Sequence, residues 1–361
     1  MGGGAPKEHL LCLVPQEEPK ALIDHLRHKF PAIEITYRHI SFTFDKDVLR
    51  KEIPPALWET ATILCTFHGL PEKLEWAPHL KLLQLLSAGS NHVQGTPVWD
   101  NKDIVIATSS GIHGPQIAEW AVAQHLVQTH GLRKFYDLQK EHRWGGGSGY
   151  KDTVRDRVGL RVGVLGYGSI GRQIGRVSKA MGMSVFAYTA TPKDTKEQRR
   201  DGGYIVPDTG DPQGEVPDEW FSGLDKASLH RFLAQDLDWL IVSVPLTDQT
   251  HHMLSTEEFQ LLGRRKAFVT NIARGQIIDQ PALIEALKTH TLSGAALDVT
   301  DPEPLNKDSE LWDLDNVIVT PHISGIGSNY TERALGVLEL NLERWLNGER
   351  LINVVDRERG Y

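Results

Sequence analysis

The sequence is poor in cysteine, in long apolar runs and in excess positive charge. Its 361 residues include two cysteines, Cys12 and Cys65, each inside an apolar run, so a disulfide framework is excluded and we expect buried, reduced thiols. No stretch approaches the roughly 18 consecutive apolar residues of a membrane-spanning helix. The 39 Lys and Arg are outnumbered by 47 Asp and Glu, which leaves a net charge of -8. This charge repels phosphate backbones and anionic membranes, so neither nucleic acid nor a membrane is an expected partner.

Signals for secretion and for metal binding are also missing. The start, MGGGAPKEHL, lacks the basic-then-apolar order of a signal peptide, so we expect a cytoplasmic protein. We interpret most of the 16 histidines as surface or core residues, including the adjacent His251 and His252, and predict no metal site.

The sequence does contain a regular alternation of short apolar runs with helical segments, which is typical of parallel α/β folds. At roughly 150 residues per domain, the length favours two domains. We therefore predict two α/β domains, Rossmann-like or flavodoxin-like, each with a doubly wound parallel sheet. The predicted strands are HLLCLVP, IEITYRHI, ATILCTF, LKLLQLLSAG and DIVIATSS in the first part, and RVGVLG, SVFAYTA, DWLIVSVP, KAFVTNIA, SGAALDVT and NVIVTPH in the second.

Three segments set the predicted domain boundaries. Residues Pro115 to Lys140 have apolar side chains near helical spacing, so we expect one long helix that bridges the domains. A last helix after Gly327 has an apolar face and is long enough to return to the first domain. One domain is therefore predicted at residues 115–324, and the other at residues 1–114 together with 325–361. The polar stretch from Thr191 to Gln235 is interpreted as a surface insertion after the second strand of the later domain.

The strongest local motif is GYGSIG, which follows an apolar strand and precedes a helical segment. In that context Gly166 permits a tight turn, Gly168 lets the backbone approach a pyrophosphate, and Gly171 lets the helix pack on the strand. Tyr167, Ser169 and Ile170 complete the turn and are predicted to contact the same ligand. An ordinary glycine-rich turn is the alternative. The context favours a dinucleotide site.

The end of the second strand bears on the choice of dinucleotide. NAD-preferring sites usually have Asp or Glu there to hold the ribose hydroxyls, whereas this chain has Thr189. No carboxylate repels a 2'-phosphate, and Thr191 and Lys193 follow closely as groups that could bind it. We therefore predict that NADP is favoured over NAD. A solvated loop charge is the alternative interpretation of Lys193.

The chain contains, in order, the motifs SAG (Ser87 to Gly89), AEW (Ala118 to Trp120), GYGSIG, VPLTDQT, NIARG, GAALDV, EPL and TPH. Together they resemble one family, the D-isomer-specific 2-hydroxyacid dehydrogenases, which include glyoxylate and hydroxypyruvate reductases. Thr189 and the polar stretch after it depart from the family pattern. The resemblance implies hydride transfer between a nicotinamide and C2 of a 2-keto acid, in a cleft between a substrate-binding domain formed by the two chain ends and a dinucleotide-binding domain.

The resemblance also implies a catalytic set. Arg274 in NIARG matches the arginine that holds the substrate carboxylate and polarises its carbonyl, with a surface ion pair as the alternative. His322 in TPHIS matches the general acid. Glu303 in DPEPL matches the carboxylate that orients this histidine and favours its protonated form.

Further contacts follow from the resemblance. The backbone amides of Ala88 and Gly89 would help Arg274 to bind the substrate carboxylate, and Ser87 and His322 would also contact the substrate. Asp298 in GAALDV would accept a hydrogen bond from the nicotinamide amide, although Asp at a strand end is often a turn cap. The residues expected to line the dinucleotide are Val244, Pro245, Thr250, Ile272 and Ala273.

Two functions compete at this point. The first is an NADP(H)-dependent reductase of a 2-keto acid, whose identity the sequence does not indicate. The second is a dinucleotide-sensing scaffold, because some relatives of the family act as transcriptional corepressors and retain the same triad. The absence of long disordered or basic tails favours the enzyme. By resemblance the helix from Pro115 would be a dimer arm, so a homodimer is expected.

Overall fold

The computed structural model describes residues 8–43, 45–145, 150 and 154–360. The strands are β1 (Glu8–Val14), β2 (Ile33–His39), β3 (Ile63–Thr66), β4 (Leu82–Leu85), β5 (Val105–Ala107), β6 (Arg161–Leu165), β7 (Ser184–Thr189), β8 (Glu219–Ser222), β9 (Trp239–Val242), β10 (Phe268–Asn271), β11 (Gly294–Leu297) and β12 (Val317–Val319). The helices are α1 (Lys20–Lys29), α2 (Lys46–Glu52), α3 (Pro97–Asp100), α4 (Gly114–Thr129), α5 (Leu132–Lys140), α6 (Ser169–Ala180), α7 (Lys196–Arg199), α8 (Lys226–Leu233), α9 (Thr256–Gly263), α10 (Gln280–Lys288) and α11 (Tyr330–Leu346).

The chain divides into two compact units, Met1–Ile112 with Ser328–Tyr361, and His113–Gly327. Both units have the α/β architecture predicted from the alternation of apolar runs, so the fold class is confirmed. Among the helices of the described residues, none combines the length and apolar character that crossing a bilayer requires.

The first unit contains a five-stranded sheet in the order β2-β1-β3-β4-β5. All of its strand pairs are parallel, and the central strands are buried apolar runs, as a sheet covered on both faces requires. Cys12 and Cys65 face each other in register on β1 and β3 and are free and buried, as predicted. The last helix, α11, contributes Leu335, Leu338 and Leu342 to the buried core. This helix belongs to the first unit.

The second unit contains a seven-stranded parallel sheet in the order β12-β11-β10-β9-β6-β7-β8. The chain leaves β6 toward β7 on one side and returns to β9 on the other, so the strand order reverses between β6 and β9. In open α/β sheets the carboxyl ends of the strands beside such a reversal are the usual place for a ligand. The glycine motif follows β6 and therefore lies at this point.

Two expectations about the second unit are wrong. The helix predicted from Pro115 to Lys140 is two helices, because Gly131 adopts a left-handed φ of +59° between α4 and α5. The stretch from Thr191 to Gln235 is not insertion throughout, since it includes β8, which pairs with β7, and α8. β8 is short and partly exposed at the sheet edge, so it lacks the apolar run that marks the six predicted strands. The part of this stretch before β8, about residues 194–218, contains only the short helix α7 among the named helices and strands.

Candidate active site

The glycine motif forms the turn between β6 and α6. Gly166 has a φ of +102°, and a Cβ there would lie 2.7 Å from the backbone of Ser243. A Cβ on Gly171 would lie 2.3 Å from the carbonyl oxygen of Gly166. Both positions therefore require glycine. Gly168 differs, because a Cβ there meets no atom of the described residues within 4 Å, so the backbone is open to a phosphate group at that position.

Helix α6 begins with amide groups that are free to bind an anion. Gly168 caps the helix without a side-chain hydrogen bond, and the first helical bond runs from the amide of Arg172 to the carbonyl of Gly168, 2.8 Å. The amides of Ser169, Ile170 and Gly171 precede that bond. With the positive end of the helix dipole, they fit the pyrophosphate of a dinucleotide.

Tyr167 has a different role from the contact predicted for it. Its side chain is buried, with 2% of its surface exposed, and its hydroxyl donates to Oδ2 of Asp211, 3.1 Å away. Burial, reinforced by the neighbouring Asp211 carboxylate, raises the pKa of this phenol far above its usual value. Its amide donates to the carbonyl of Tyr188. The ring of Tyr167 is therefore an internal anchor of the turn, because neither it nor the amide is available to a ligand.

The end of β7 carries the three residues predicted to set cofactor preference. Thr189 has no free hydroxyl proton for a phosphate, because its Oγ1 donates to the carbonyl of Thr191, 2.8 Å. Thr191 is exposed and Lys193 is partly buried. In the part of the chain that the structure describes, no carboxylate forms an ion pair with Lys193. Of the three residues, Lys193 therefore has the group best suited to bind an anion.

The carboxyl ends of β9 and β10 lie next to the glycine turn in the sheet. After β9, Ser243 donates through Oγ to the carbonyl of Gly166, 2.7 Å. Thr250 closes the following loop by donating to the carbonyl of Pro245, 2.7 Å. The remaining residues predicted to line the dinucleotide, Val244, Ile272 and Ala273, are apolar and lie at the same two strand ends, where Val244 and Ala273 pack with one core cluster and Ile272 with another.

Arg274 follows β10 in a tightly held loop. Asn271 fixes the loop from both sides, accepting from the amide of Ala273 (3.1 Å) and donating to the carbonyl of Arg274 (3.0 Å). Burial lowers the pKa of the Arg274 guanidinium, and the charge of Glu303 acts in the opposite direction. Arginine remains a cation under such a shift. Within the described residues Arg274 forms no ion pair, so the surface ion pair weighed from the sequence is not found.

Glu303 and His322 form a direct pair. Nδ1 of His322 lies 2.6 Å from Oε1 of Glu303, and both side chains are partly exposed. This bond leaves Nε2 of the imidazole as the atom that can exchange a proton with a ligand. The backbone of His322 has a φ of +54°, uncommon for a residue with a side chain. Its amide donates to the carbonyl of Asp298, 2.9 Å, which helps to hold this conformation.

Asp298 organises the loop that carries His322. Its side chain is buried, with 1% exposed. Oδ1 accepts from the hydroxyl of Thr320 (2.6 Å) and the amide of Ile323 (2.9 Å), and Oδ2 accepts from the amide of Ser324 (2.9 Å). Asp298 therefore caps this turn, which is the alternative role that the sequence left open. A carboxylate has about four acceptor positions, so a bond from the nicotinamide amide stays a prediction.

Ser87, Ala88 and Gly89 lie in the first unit, in the bend after β4. Oγ of Ser87 donates to the carbonyl of Gly89, 2.8 Å, which closes the bend. Among the described residues, no acceptor is bound by the amides of Ala88 and Gly89. These amides are therefore suited to bind a carboxylate.

The structure brings Arg274, Asp298, Glu303 and His322 together in the second unit. Sequence reasoning missed Thr320, whose hydroxyl binds Asp298, and the pair Arg172 and Asp211 behind the glycine turn. Thr320 lies in the same TPH motif as His322, so its position was a usable signal. No motif marks Arg172 or Asp211.

Comparisons with known proteins agree with this geometry. Residues 122–210 and 209–324 match the family model described as D-isomer specific 2-hydroxyacid dehydrogenase, NAD binding domain. A protein named glyoxylate reductase from Thermococcus onnurineus is 30% identical over 301 residues, covering 80% of this chain and 79% of the relative. A protein of the same name from Thermococcus gammatolerans is 29% identical over 304 residues, covering 80% of this chain and 79% of the relative.

Solved structures show the same similarity. The crystal structure of a D-isomer specific 2-hydroxyacid dehydrogenase from Xanthobacter autotrophicus, in complex with NADPH and MES, has a TM-score of 0.74 and 26% identity. The similarity covers 98% of this chain and 100% of that one. The chain therefore belongs to the D-isomer specific 2-hydroxyacid dehydrogenase family and is an NAD(P)-dependent oxidoreductase.

Proposed function

We propose that the protein reduces a small 2-keto acid, of the glyoxylate or hydroxypyruvate type, to the D-2-hydroxy acid with NADPH as the preferred reductant. The observation that carries this proposal is the His322–Glu303 pair, 2.6 Å between Nδ1 and Oε1, in the same unit as the partly buried cation Arg274. The glyoxylate reductases at 29% and 30% identity support the substrate class. The NADPH complex of the Xanthobacter enzyme supports the cofactor.

Each residue has a distinct task in this reaction. Arg274 binds the substrate carboxylate and polarises the keto oxygen through the N–H groups of its guanidinium. Nε2 of protonated His322 donates a proton to that oxygen, while Glu303 at Nδ1 orients the ring and stabilises its charge. The amides of Ala88 and Gly89 would also bind the substrate carboxylate. A nicotinamide dinucleotide, held at the α6 turn, supplies the hydride when bound.

The cofactor preference rests on the residues after β7. A carboxylate at position 189 would repel the two negative charges of a 2'-phosphate, and Thr189 removes that repulsion. Lys193 has no ion-pair partner among the described residues and supplies a cation nearby. The protein should therefore accept NADPH and turn over more slowly with NADH at equal, subsaturating concentration.

A substrate panel tests the proposal. Initial rates should be measured with glyoxylate, hydroxypyruvate, pyruvate, and branched and aromatic 2-keto acids, each with NADPH and with NADH. We expect the highest kcat/KM for glyoxylate or hydroxypyruvate with NADPH. Faster reduction of a bulky keto acid would overturn the substrate class, and preference for NADH would overturn the cofactor assignment. Nucleotide binding without turnover of any acid would instead support the sensing scaffold.

A further inference from the structure

Arg172 is a buried cation that the proposed reaction does not use. Its side chain lies in the first turn of α6, and 4% of the residue surface is exposed. Nη1 donates to the carbonyl of Asp211 and Nη2 to the carbonyl of Arg199, both at 2.6 Å. Nε lies 3.5 Å from a carboxylate oxygen of Asp201. Burying a guanidinium costs free energy unless it is fully bonded, and all three partners belong to residues 194–218, which we name the cap segment.

The glycine turn binds the same segment through a second contact. The hydroxyl of Tyr167 donates to Oδ2 of Asp211, whose carboxylate also accepts from the amides of Glu215 (2.9 Å) and Val216 (3.2 Å). The Arg172 guanidinium lies over the Tyr167 ring, 5.4 Å from its centroid. Asp211 is therefore held both by the phosphate-binding turn and by the helix that follows it.

The cap segment is in turn bonded to the loop that carries Lys193. Nε of Arg199 donates to the carbonyl of Lys193, 2.8 Å, and its guanidinium lies over the Trp220 ring, 5.7 Å from the centroid. The carbonyl of Arg199 is the group that Arg172 binds. Two hydrogen bonds through one residue thus connect the buried guanidinium to the backbone of Lys193.

We propose that Arg172 is a positioning residue for cofactor preference: by holding the cap segment on α6, it fixes Lys193 where a 2'-phosphate would be bound. This inference rests on the NADPH preference proposed above. A lysine on a fixed loop loses less conformational freedom on binding than one on a free loop. The contribution should therefore appear with NADPH, which carries the 2'-phosphate, and not with NADH.

The test compares Arg172→Gln with Arg176→Gln. Arg176 lies one turn further along α6, is exposed, and has no bonded partner in the described part of the chain, so it controls for the loss of positive charge. Dissociation constants for NADPH and NADH should be measured by calorimetry, with kcat at saturating NADPH. For Arg172→Gln we expect about fivefold weaker binding of NADPH, because the charge-assisted contact between Lys193 and the 2'-phosphate is weakened. NADH binding and kcat should change less than about twofold, and Arg176→Gln should resemble wild type.

A double-mutant cycle that combines Arg172→Gln with Lys193→Ala tests whether Arg172 acts through Lys193. If Arg172 acts through Lys193, then Arg172→Gln adds little to the loss of NADPH affinity in Lys193→Ala, so the two effects are not additive. Additive effects, or equal losses for NADPH and NADH, would overturn the inference. Arg172→Lys is a second variant in case Arg172→Gln is unstable, because lysine keeps the charge but lacks the fork that spans two carbonyls. It should show the same selective loss.

The two proposals fail in different ways. A wild-type protein that binds NADH as tightly as NADPH would remove the proposed preference itself. A wild-type protein that prefers NADPH, with the same NADPH-to-NADH ratio in Arg172→Gln, would overturn only the role of Arg172.

Discussion

The loop of His322 and the loop of Lys193 are held in different ways. Around His322 the functional side chains bind one another or the adjacent backbone: Glu303 binds the imidazole, and Asp298 binds the loop itself. Around Lys193 the supporting contacts come from Arg172 and Arg199, which bind carbonyl groups in a segment without a motif. A proton-transfer centre supported by neighbouring side chains should lose function sharply when one is removed. At the Lys193 loop, where remote backbone contacts position the charge, removing one contact should reduce the preference for NADPH only partly.

The largest effect is expected for His322→Ala. Removing a positioned general acid lowers turnover by about 10²- to 10⁴-fold, whereas the affinity for NADPH should stay near wild type because α6 and its turn are untouched. His290→Ala is the matched control: His290 is also exposed and has a similar φ of +53°. Single-turnover rates with glyoxylate and NADPH measure the effect. A His322→Ala enzyme within tenfold of wild type would remove this residue from proton transfer.

The next effect is expected for Asp298→Ala, which tests whether this carboxylate supports the loop. Three donors lose their acceptor, and buried unsatisfied groups cost about 1–3 kcal/mol each. We expect the free energy of unfolding to fall by about 2–5 kcal/mol, with a lower kcat because His322 is no longer held. Chemical denaturation measures the first quantity. If Asp298 acted only on the nicotinamide amide, the unfolding free energy would be unchanged without cofactor.

The same contrast explains what sequence could and could not predict. The eleven predicted apolar runs form strands, but β8 was missed because this edge strand, EWFS, is exposed or partly exposed throughout and has no apolar run. The break at Gly131 was missed because apolar spacing continues across it. The pairing of Glu303 with His322 followed from motif resemblance, since both are side chains in recognisable motifs. The contacts that hold Lys193 could not be predicted in this way, because Arg172 binds backbone carbonyl groups. Any residue can supply a carbonyl, so no sequence motif marks these partners.

A smaller effect is expected for Glu303→Gln. Glutamine can still accept a hydrogen bond from Nδ1 of His322, but it lacks the negative charge that stabilises the protonated ring. We expect kcat to fall about tenfold, a part of the 10²- to 10⁴-fold that a positioned general acid contributes. Glu310→Gln is the control, because Glu310 is an exposed carboxylate whose partner is Lys288 on the surface. Equal kcat values for Glu303→Gln and wild type would limit Glu303 to orienting the ring.

The smallest effect is expected for Lys193→Ala, which tests whether the charge of Lys193 sets the preference for NADPH. A charge-assisted hydrogen bond contributes about 1.5–3 kcal/mol, but Lys193 is partly exposed and solvent screening reduces this figure. We therefore expect binding of NADPH to weaken about fivefold, with no change for NADH. Lys196→Ala is the control for charge in the same stretch, because Lys196 is exposed at the start of α7. Thr189→Asp should act in the same direction, since a carboxylate would repel the 2'-phosphate and accept from the ribose hydroxyls of NADH. If Lys193→Ala weakened both nucleotides equally, the charge would contact a part that they share, and preference would depend on position 189 alone.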